Sequence, residues 1–294
     1  MRFNQITIVG VGLIGGSFAL AARRAELAVK IKGYDDKAVI ERARAAGVVD
    51  GYDSAFDESQ ETESDLIYLA APVGGIIDFL RTRGRFIKPG AIVTDAGSTK
   101  REICRAARRS LSSETGFVGG HPMAGSHNTG FEFASADLFR GAPYAIVTDD
   151  ALGDLTSPQR EDVNAVIEVV RSIGGEPLTI SAERHDHIVA RVSHAPQLLS
   201  IALALSVAQG ENESATKLAG SGFDDMTRLA ASRWSVWEDI CRTNADEIVE
   251  ALKVVIQRIE TLRDSISGGD LSHAKEAFAA ANEFIERYRI RRKE

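Results

Sequence analysis

Ile6-Thr7-Ile8-Val9-Gly10-Val11-Gly12-Leu13-Ile14-Gly15 begins with a β-branched run, ends in a glycine hexad and leads into an alanine-rich stretch. The pattern predicts a strand, a tight turn and a helix. Its three glycines have separate tasks: Gly10 makes the turn, Gly12 lets backbone approach a pyrophosphate, and Gly15 lets the helix pack closely on the strand. The first helical residues, Leu13 and Ile14, present unpaired N–H groups and the positive end of the helix dipole to an anion. A second β-rich run, Ile31–Tyr34, stops at Asp35. A carboxylate there suits the two ribose hydroxyls of NAD, whereas an NADP site tends to place neutral or basic residues. Capping the next helix is the competing role for Asp35.

Working outward, further short β runs alternate with helical stretches: Leu66–Ala70, Ala91–Thr94, Gly116–Val118, Tyr144–Val147 and Pro177–Ile180. Alternation of this kind builds a parallel sheet covered on both faces, with the last strands as candidates for antiparallel additions. The turn Ala71-Pro72-Val73 follows the third strand at the sheet edge where ligands of such folds sit, so it is expected beside the cofactor; a helix-starting proline is the alternative. After Ser181 strand signals vanish. Two domains are expected, residues 1–180 and 181–294, which suits a chain of 294 residues.

In the second part, Ile248, Leu252, Val255, Ile259, Leu262 and Ile266 alternate four and three apart, and Leu271 to Tyr288 repeats the rhythm. Two readings stand open, helices packed on each other within one chain and a helical dimer interface. Pro196 interrupts the helical run 182–209 and is expected to bend it.

Composition narrows the class. A net charge of −7 disfavours a phosphate-backbone binder, so no nucleic-acid partner is expected. Two cysteines far apart suggest neither a disulfide framework nor a zinc site, and a reducing, cytoplasmic setting is expected. The apolar stretch Ile6–Leu20 mimics a signal peptide, but its four glycines sit where a nucleotide turn needs them. No other window is expected to supply the ~20 apolar residues of a membrane span. His185-Asp186-His187 lacks further ligands at diagnostic spacing, and no metal is expected. Trp234 and Trp237 are expected to pack helices, Trp237 also being placed to border a pocket.

Chemistry concentrates in two segments. Asp95-Ala96-Gly97-Ser98-Thr99-Lys100 follows a strand, and Ser98 offers a hydroxyl either to a reaction or to the helix ahead, where Thr99 and Glu102 have capping-box spacing. Gly119-Gly120-His121-Pro122 sets a histidine between a diglycine and a proline, which predicts display in a loop. A dehydrogenase needs a base for the alcohol proton, and His121 is the candidate.

Together with Gly120-His121-Pro122-Met123-Ala124-Gly125-Ser126, Ser193-His194-Ala195-Pro196 and Gly222-Phe223-Asp224-Asp225-Met226-Thr227-Arg228, these motifs resemble the prephenate/arogenate dehydrogenases of tyrosine biosynthesis over nearly the whole chain. The resemblance implies an α/β Rossmann-like N-terminal domain and an all-α C-terminal dimerisation domain, hence a homodimer. It implies oxidation of prephenate by NAD+ with loss of CO2, the alternatives being arogenate or a dual-specificity cyclohexadienyl dehydrogenase that takes both. On the matching positions, His121 accepts the ring hydroxyl proton and Ser98 lies near both that hydroxyl and the nicotinamide. Gly97 belongs to the cofactor side; Arg228 holds a substrate carboxylate, and His194, Ser126 and Gln197 neighbour the substrate.

Two positions depart from many relatives. Gln197 stands where a second histidine is common, and Asp224 where a base is common; both lower positive charge, which favours the ammonium-bearing arogenate. Rival readings are a β-hydroxyacid-type dehydrogenase, for which Lys217 is the sole lysine between Lys100 and Lys253, and a non-catalytic NAD-binding dimer. Neither gives His121, Ser98 and Arg228 a joint task.

Overall fold

Residues 2–125, 128–148, 157–208 and 213–291 are described by the computed structural model. The N-terminal run forms β1 (Phe3–Val9), of which every residue but Asn4 is buried, as a central strand covered on both faces requires. The chain continues through α1 (Leu13–Arg24), β2 (Ala28–Tyr34), α2 (Lys37–Ala45), the two-residue β3 (Gly51–Tyr52), β4 (Leu66–Leu69), α3 (Val73–Arg83), β5 (Ile92–Asp95), α4 (Arg101–Ser110), β6 (Gly116–Pro122), β7 (Pro143–Val147), α5 (Ser157–Ser172) and β8 (Glu176–Ile180). The sheet order is β3-β2-β1-β4-β5-β6-β7-β8. Chain progression reverses between β1 and β4, the topological switch at which ligands enter doubly wound sheets.

All pairings are parallel except β6 with β7. β6 changes partner midway: Gly116–Val118 pairs with β5, and Gly119–Pro122 pairs with β7, His121 opposite Ala145. The loop expected around His121 is therefore a strand end. The diglycine explains it, since a Cβ on Gly120 would meet the Asp95 carbonyl oxygen at 2.4 Å, so only glycine lets β6 run this close past β5. Two ring contacts align the site-bearing elements. Phe18 of α1 stacks on Tyr68 of β4 at 3.8 Å, and the Tyr68 and Tyr144 hydroxyls meet at 3.1 Å in the core. An aromatic pair of this kind contributes about 0.5–1.5 kcal/mol beyond its buried area.

Among the described residues no strand follows Ile180. The helical part comprises α6 (Ala182–Val189), a π-helical turn (Ala190–His194), α7 (Ala195–Ala208), α8 (Glu213–Leu218), α9 (Ser221–Thr227), a 3-10 turn (Arg228–Ala231), α10 (Trp234–Thr243), α11 (Ala245–Ser267) and α12 (Ser272–Arg291). Pro196 has no N–H to return to the preceding turn, and the π turn lies directly before it. The interruption is thus a widened turn rather than a break. The run Ala182–Ala208 stays helical, with a mean hydropathy of 1.4 in its most apolar window, which is 33% buried. By length and composition it is long enough to cross a membrane, contrary to the sequence expectation; the proline and the polar residues of α6 had hidden its apolar second half. Those polar residues, His185 and Asp186, are buried in a hydrogen-bonded network described below.

The stripe on α11 divides. Ile248 is buried against α7 and the π turn, while Ile259 and Ile266 are exposed, as are Leu271, Phe278 and Tyr288 on α12. α11 and α12 meet at their shared turn, where Ser265 Oγ donates to the Asp270 carbonyl. Trp234 is 64% exposed, which departs from the expectation that it packs helices.

Candidate active site

The carboxyl ends of β2, β1, β4, β5 and β6 bring Asp35, Gly10, Ala71, Ser98 and His121 into one row in that order. Four strand spacings make the row about 19 Å long, a shape suited to an extended ligand. At one end Gly10, Gly12, Asp35, Ala71 and Pro72 line a cleft of about 450 Å3. Gly10 has φ +88°, and a Cβ there would sit 2.8 Å from the Ala70 carbonyl carbon; a Cβ on Gly12 would meet nothing within 4 Å, leaving its backbone open to the cleft. A Cβ on Gly15 would stand 2.0 Å from the Gly10 oxygen, so the helix packs on the turn only with glycine there.

No side chain caps α1, leaving the N–H groups of Leu13 and Ile14 for an anion. Asp35 Oδ2 accepts from Val11 N at 2.7 Å, bracing the glycine turn. The N-cap of α2 is Asp36, not Asp35. This uncapped helix, open glycine turn and carboxylate fit a dinucleotide. Val73 is buried in the core and is not among the residues that line the cleft, which passes from Pro72 to Gly75.

At the other end of the row a relay converges. Asp186 Oδ1 accepts from His185 Nδ1 at 2.8 Å, and His185 Nε2 lies 2.9 Å from His121 Nδ1. Burial opposes ionisation of Asp186, but bonds from His185 and from the Arg101 and Lys100 N–H groups outweigh it and hold its carboxyl below the usual range. An ionised Asp186 places the His185 proton on Nδ1, so Nε2 must accept from His121 Nδ1–H. His121 Nε2 then carries the lone pair. Burial, then the neighbouring His185, Lys100 and His194, hold the His121 imidazole well below its ordinary value, keeping it neutral. Burial also lowers His185, partly offset by Asp186.

Asp186 is also the cap of α4, receiving Lys100 N at 2.7 Å and Arg101 N at 3.0 Å. The capping box expected from Thr99 and Glu102 is absent: Thr99 bonds Thr243 at 2.7 Å and Glu102 pairs with Arg105. A carboxylate from α6 satisfies those donors better because it carries charge. Ser98 therefore caps nothing; its hydroxyl is half-buried and has no hydrogen bond within the described residues. Gly97 is fixed by its N–H, which donates to Asp95 Oδ2 at 2.8 Å.

The helical part closes the site from above. Asn244 donates to the Asp186 carbonyl at 2.9 Å and stands 3.3 Å from His194 Nδ1, while Trp237 sets its ring edge-on to His194 at 5.8 Å. Burial, in the main, pushes His194 down to about 4. Gln197 is buried and uses both ends of its amide, donating to the Leu229 carbonyl at 2.7 Å and accepting from Ser232 Oγ at 3.2 Å. It thereby fastens the turn that carries Arg228 onto α7. Arg228 itself is exposed and joins none of the bonds around His121. Ser126 lies outside the described residues. His121, His185, Asp186, Asn244 and His194 are thus brought together, Arg228 shares no hydrogen bond with them among the described residues, and His185, Asp186, Lys100 and Asn244 are the members that sequence reasoning missed. His187, the third residue of the His-Asp-His run, pairs with Glu247 at 2.8 Å instead.

Residues 18–178 match the family described as prephenate dehydrogenase, nucleotide-binding domain, and residues 181–280 match its dimerization domain. The cyclohexadienyl dehydrogenase of Zymomonas mobilis is 32% identical over 94% of this chain and 94% of its own. Among solved structures, the prephenate dehydrogenase of Aquifex aeolicus in complex with hydroxyphenyl propionate and NAD+ superposes with a TM-score of 0.82 at 28% identity, covering 100% of this chain and 98% of that one. The arogenate dehydrogenase of Synechocystis gives 0.80 at 28% identity, with 97% and 99% covered. With a nucleotide cleft and a histidine relay on one sheet edge, and both domain families matched in order, the chain belongs to the prephenate dehydrogenase family.

Proposed function

We propose that this protein oxidises prephenate to 4-hydroxyphenylpyruvate with NAD+ as hydride acceptor and release of CO2. As a member of its family the chain is an NAD-dependent oxidoreductase. The observation that carries the reading is the His121–His185–Asp186 relay, which leaves one imidazole nitrogen neutral, oriented and unprotonated at the strand end next to Ser98.

In this reading Gly10, Gly12 and the first turn of α1, Leu13 and Ile14, hold the pyrophosphate, Asp35 takes the adenosine ribose, and Ala71, Pro72 and Gly97 border the remainder. Bound NAD+ supplies the hydride acceptor. His121 Nε2 takes the ring hydroxyl proton, and the positive charge that develops on the imidazole is stabilised through His185 by Asp186. Ser98, whose hydroxyl has no hydrogen bond within the described residues, bonds the same hydroxyl. Arg228 binds a substrate carboxylate with its bidentate fork. Ser126 and His194 border the substrate, and Gln197 acts by holding the Arg228 turn. Once the ring carries a carbonyl, its carboxylate lies across the ring in conjugation with it, so CO2 loss yields a phenol and the step does not reverse. A positioned base contributes about 100- to 10,000-fold to such a step.

Arogenate is the second substrate considered. The charge argument for it weakens in the folded chain, because Asp224 is exposed on α9 and Gln197 is spent on backbone and Ser232 contacts. Following NADH absorbance with each substrate tests the assignment. A higher kcat/KM for prephenate is expected; a higher value for arogenate transfers the assignment, and no turnover with either ends it.

We further propose the division at 180/181, a homodimer built on the exposed stripes of α11 and α12, and a cytoplasmic location. Exposed apolar area of that extent marks an interface.

A further inference from the structure

We propose that Lys100, held by Asp95, is a positioning residue for the reaction: it fixes the peptide that carries His121 and acts through that imidazole. The proposal rests on the base role given to His121 above. Both charged side chains are fully buried, at 0% exposure, and form an ion pair within the sheet edge. Taking two charges out of water is expensive, and an apolar pair of the same shape serves stability as well or better. Stability alone therefore does not account for the pair.

Its bonds show what it does account for. Asp95 Oδ1 accepts from Gly120 N at 3.0 Å, and Lys100 Nζ donates to the Gly120 carbonyl at 2.6 Å, the carbonyl of the peptide bond to His121. Both backbone polar groups of Gly120 are thereby held by side chains on the segment that bears Ser98. Asp95 Oδ2 also takes the Gly97 N–H, and the backbone N–H of Lys100 donates to Asp186 Oδ1, the oxygen that receives His185. One residue thus ties the base's own peptide to the anion at the far end of its relay. Around the His121 ring stand Lys100 from the β5–α4 turn, His185 and Asp186 from α6, His194 from the π turn, and Asp95 behind Lys100. The lysine cation opposes protonation of the imidazole it positions.

A double-mutant cycle tests this on the full-length protein. Asp95→Asn with Lys100→Met removes both charges together, so no buried ion is left unpaired, and the pair is made in the parent and in His121→Asn. In the parent, NAD+ binding by fluorescence quenching is expected within about threefold of the original, while kcat falls on the order of 100-fold, as for a misplaced base. The acid limb of the rate profile is expected to move to higher pH. In His121→Asn the same pair of substitutions is expected to cost nothing further, because residues acting through one group are non-additive. Losses that multiply in that background, or an unchanged kcat in the parent, overturn the role of Lys100 and leave the base intact. Near-normal turnover by His121→Asn alone overturns the base, and the proposal with it. If the paired variant does not fold, Asp95→Asn alone is read by the same cycle for NAD+ binding and kcat, with the same overturning results; because the lysine cation then stays without its counter-ion, the acid limb is expected to move to lower pH instead.

Discussion

The two ends of the sheet edge are built by different means. The nucleotide end is local: Gly10, Gly12, Gly15 and Asp35 lie within 26 residues of one another, and backbone shape does most of the work. The base end is assembled from four distant segments, around Asp95–Lys100, Gly120–His121, His185–His194 and Asn244, and buried charges hold it together. A site made from backbone geometry tolerates loss of a side chain. A site made from a chain of buried hydrogen bonds fails when any member stops accepting or donating.

Breaking the second end should therefore cost more. Asp186→Asn removes the anion that sets the His185 tautomer and caps α4, so kcat is expected to fall roughly 100-fold and stability by about 1–3 kcal/mol, measured by steady-state kinetics and thermal unfolding. An unchanged kcat with lowered stability would reduce Asp186 to a cap. At the first end, Asp35→Ala is expected to raise KM for NAD+ about tenfold with kcat nearly unchanged, since one charge-assisted contact is lost from binding alone. A fall in kcat as large as that of Asp186→Asn would erase the distinction between the two ends.

The same contrast explains what was legible in the sequence. The β-branched run and its glycines declare strand, turn and helix by local rules, and seven strands were placed from such runs, the two-residue β3 being too short to signal itself. His121 and Ser98 were legible as candidates, His121 because it has no obvious structural task and Ser98 with capping of the next helix as its competing role. Their setting was not. His121 sits on a strand because Gly119 and Gly120 allow β6 to change partners, a consequence of close approach to β5 that no local pattern announces. His185 and Asp186 read as ordinary residues opening a helix, and only the fold carries that helix start to β6. Asp95 and Lys100 sat inside a recognised motif without a role, since their pairing across five positions depends on burial. The amphipathic rhythm of α11 and α12 was correct, yet rhythm does not say whether the second face meets the same chain or another.

The most direct test of the account is the pH dependence of kcat/KM for prephenate in the parent protein and in His121→Asn, with NAD+ binding measured alongside. The parent is expected to keep its activity below the ordinary imidazole value of 6.5 before an acid limb appears, because burial keeps His121 unprotonated. The variant is expected to bind NAD+ normally, to lose about 100- to 10,000-fold in turnover, and to lose that limb. A variant that turns over at close to the parent's rate, or that keeps the same acid limb, would contradict the assignment of His121 as the base.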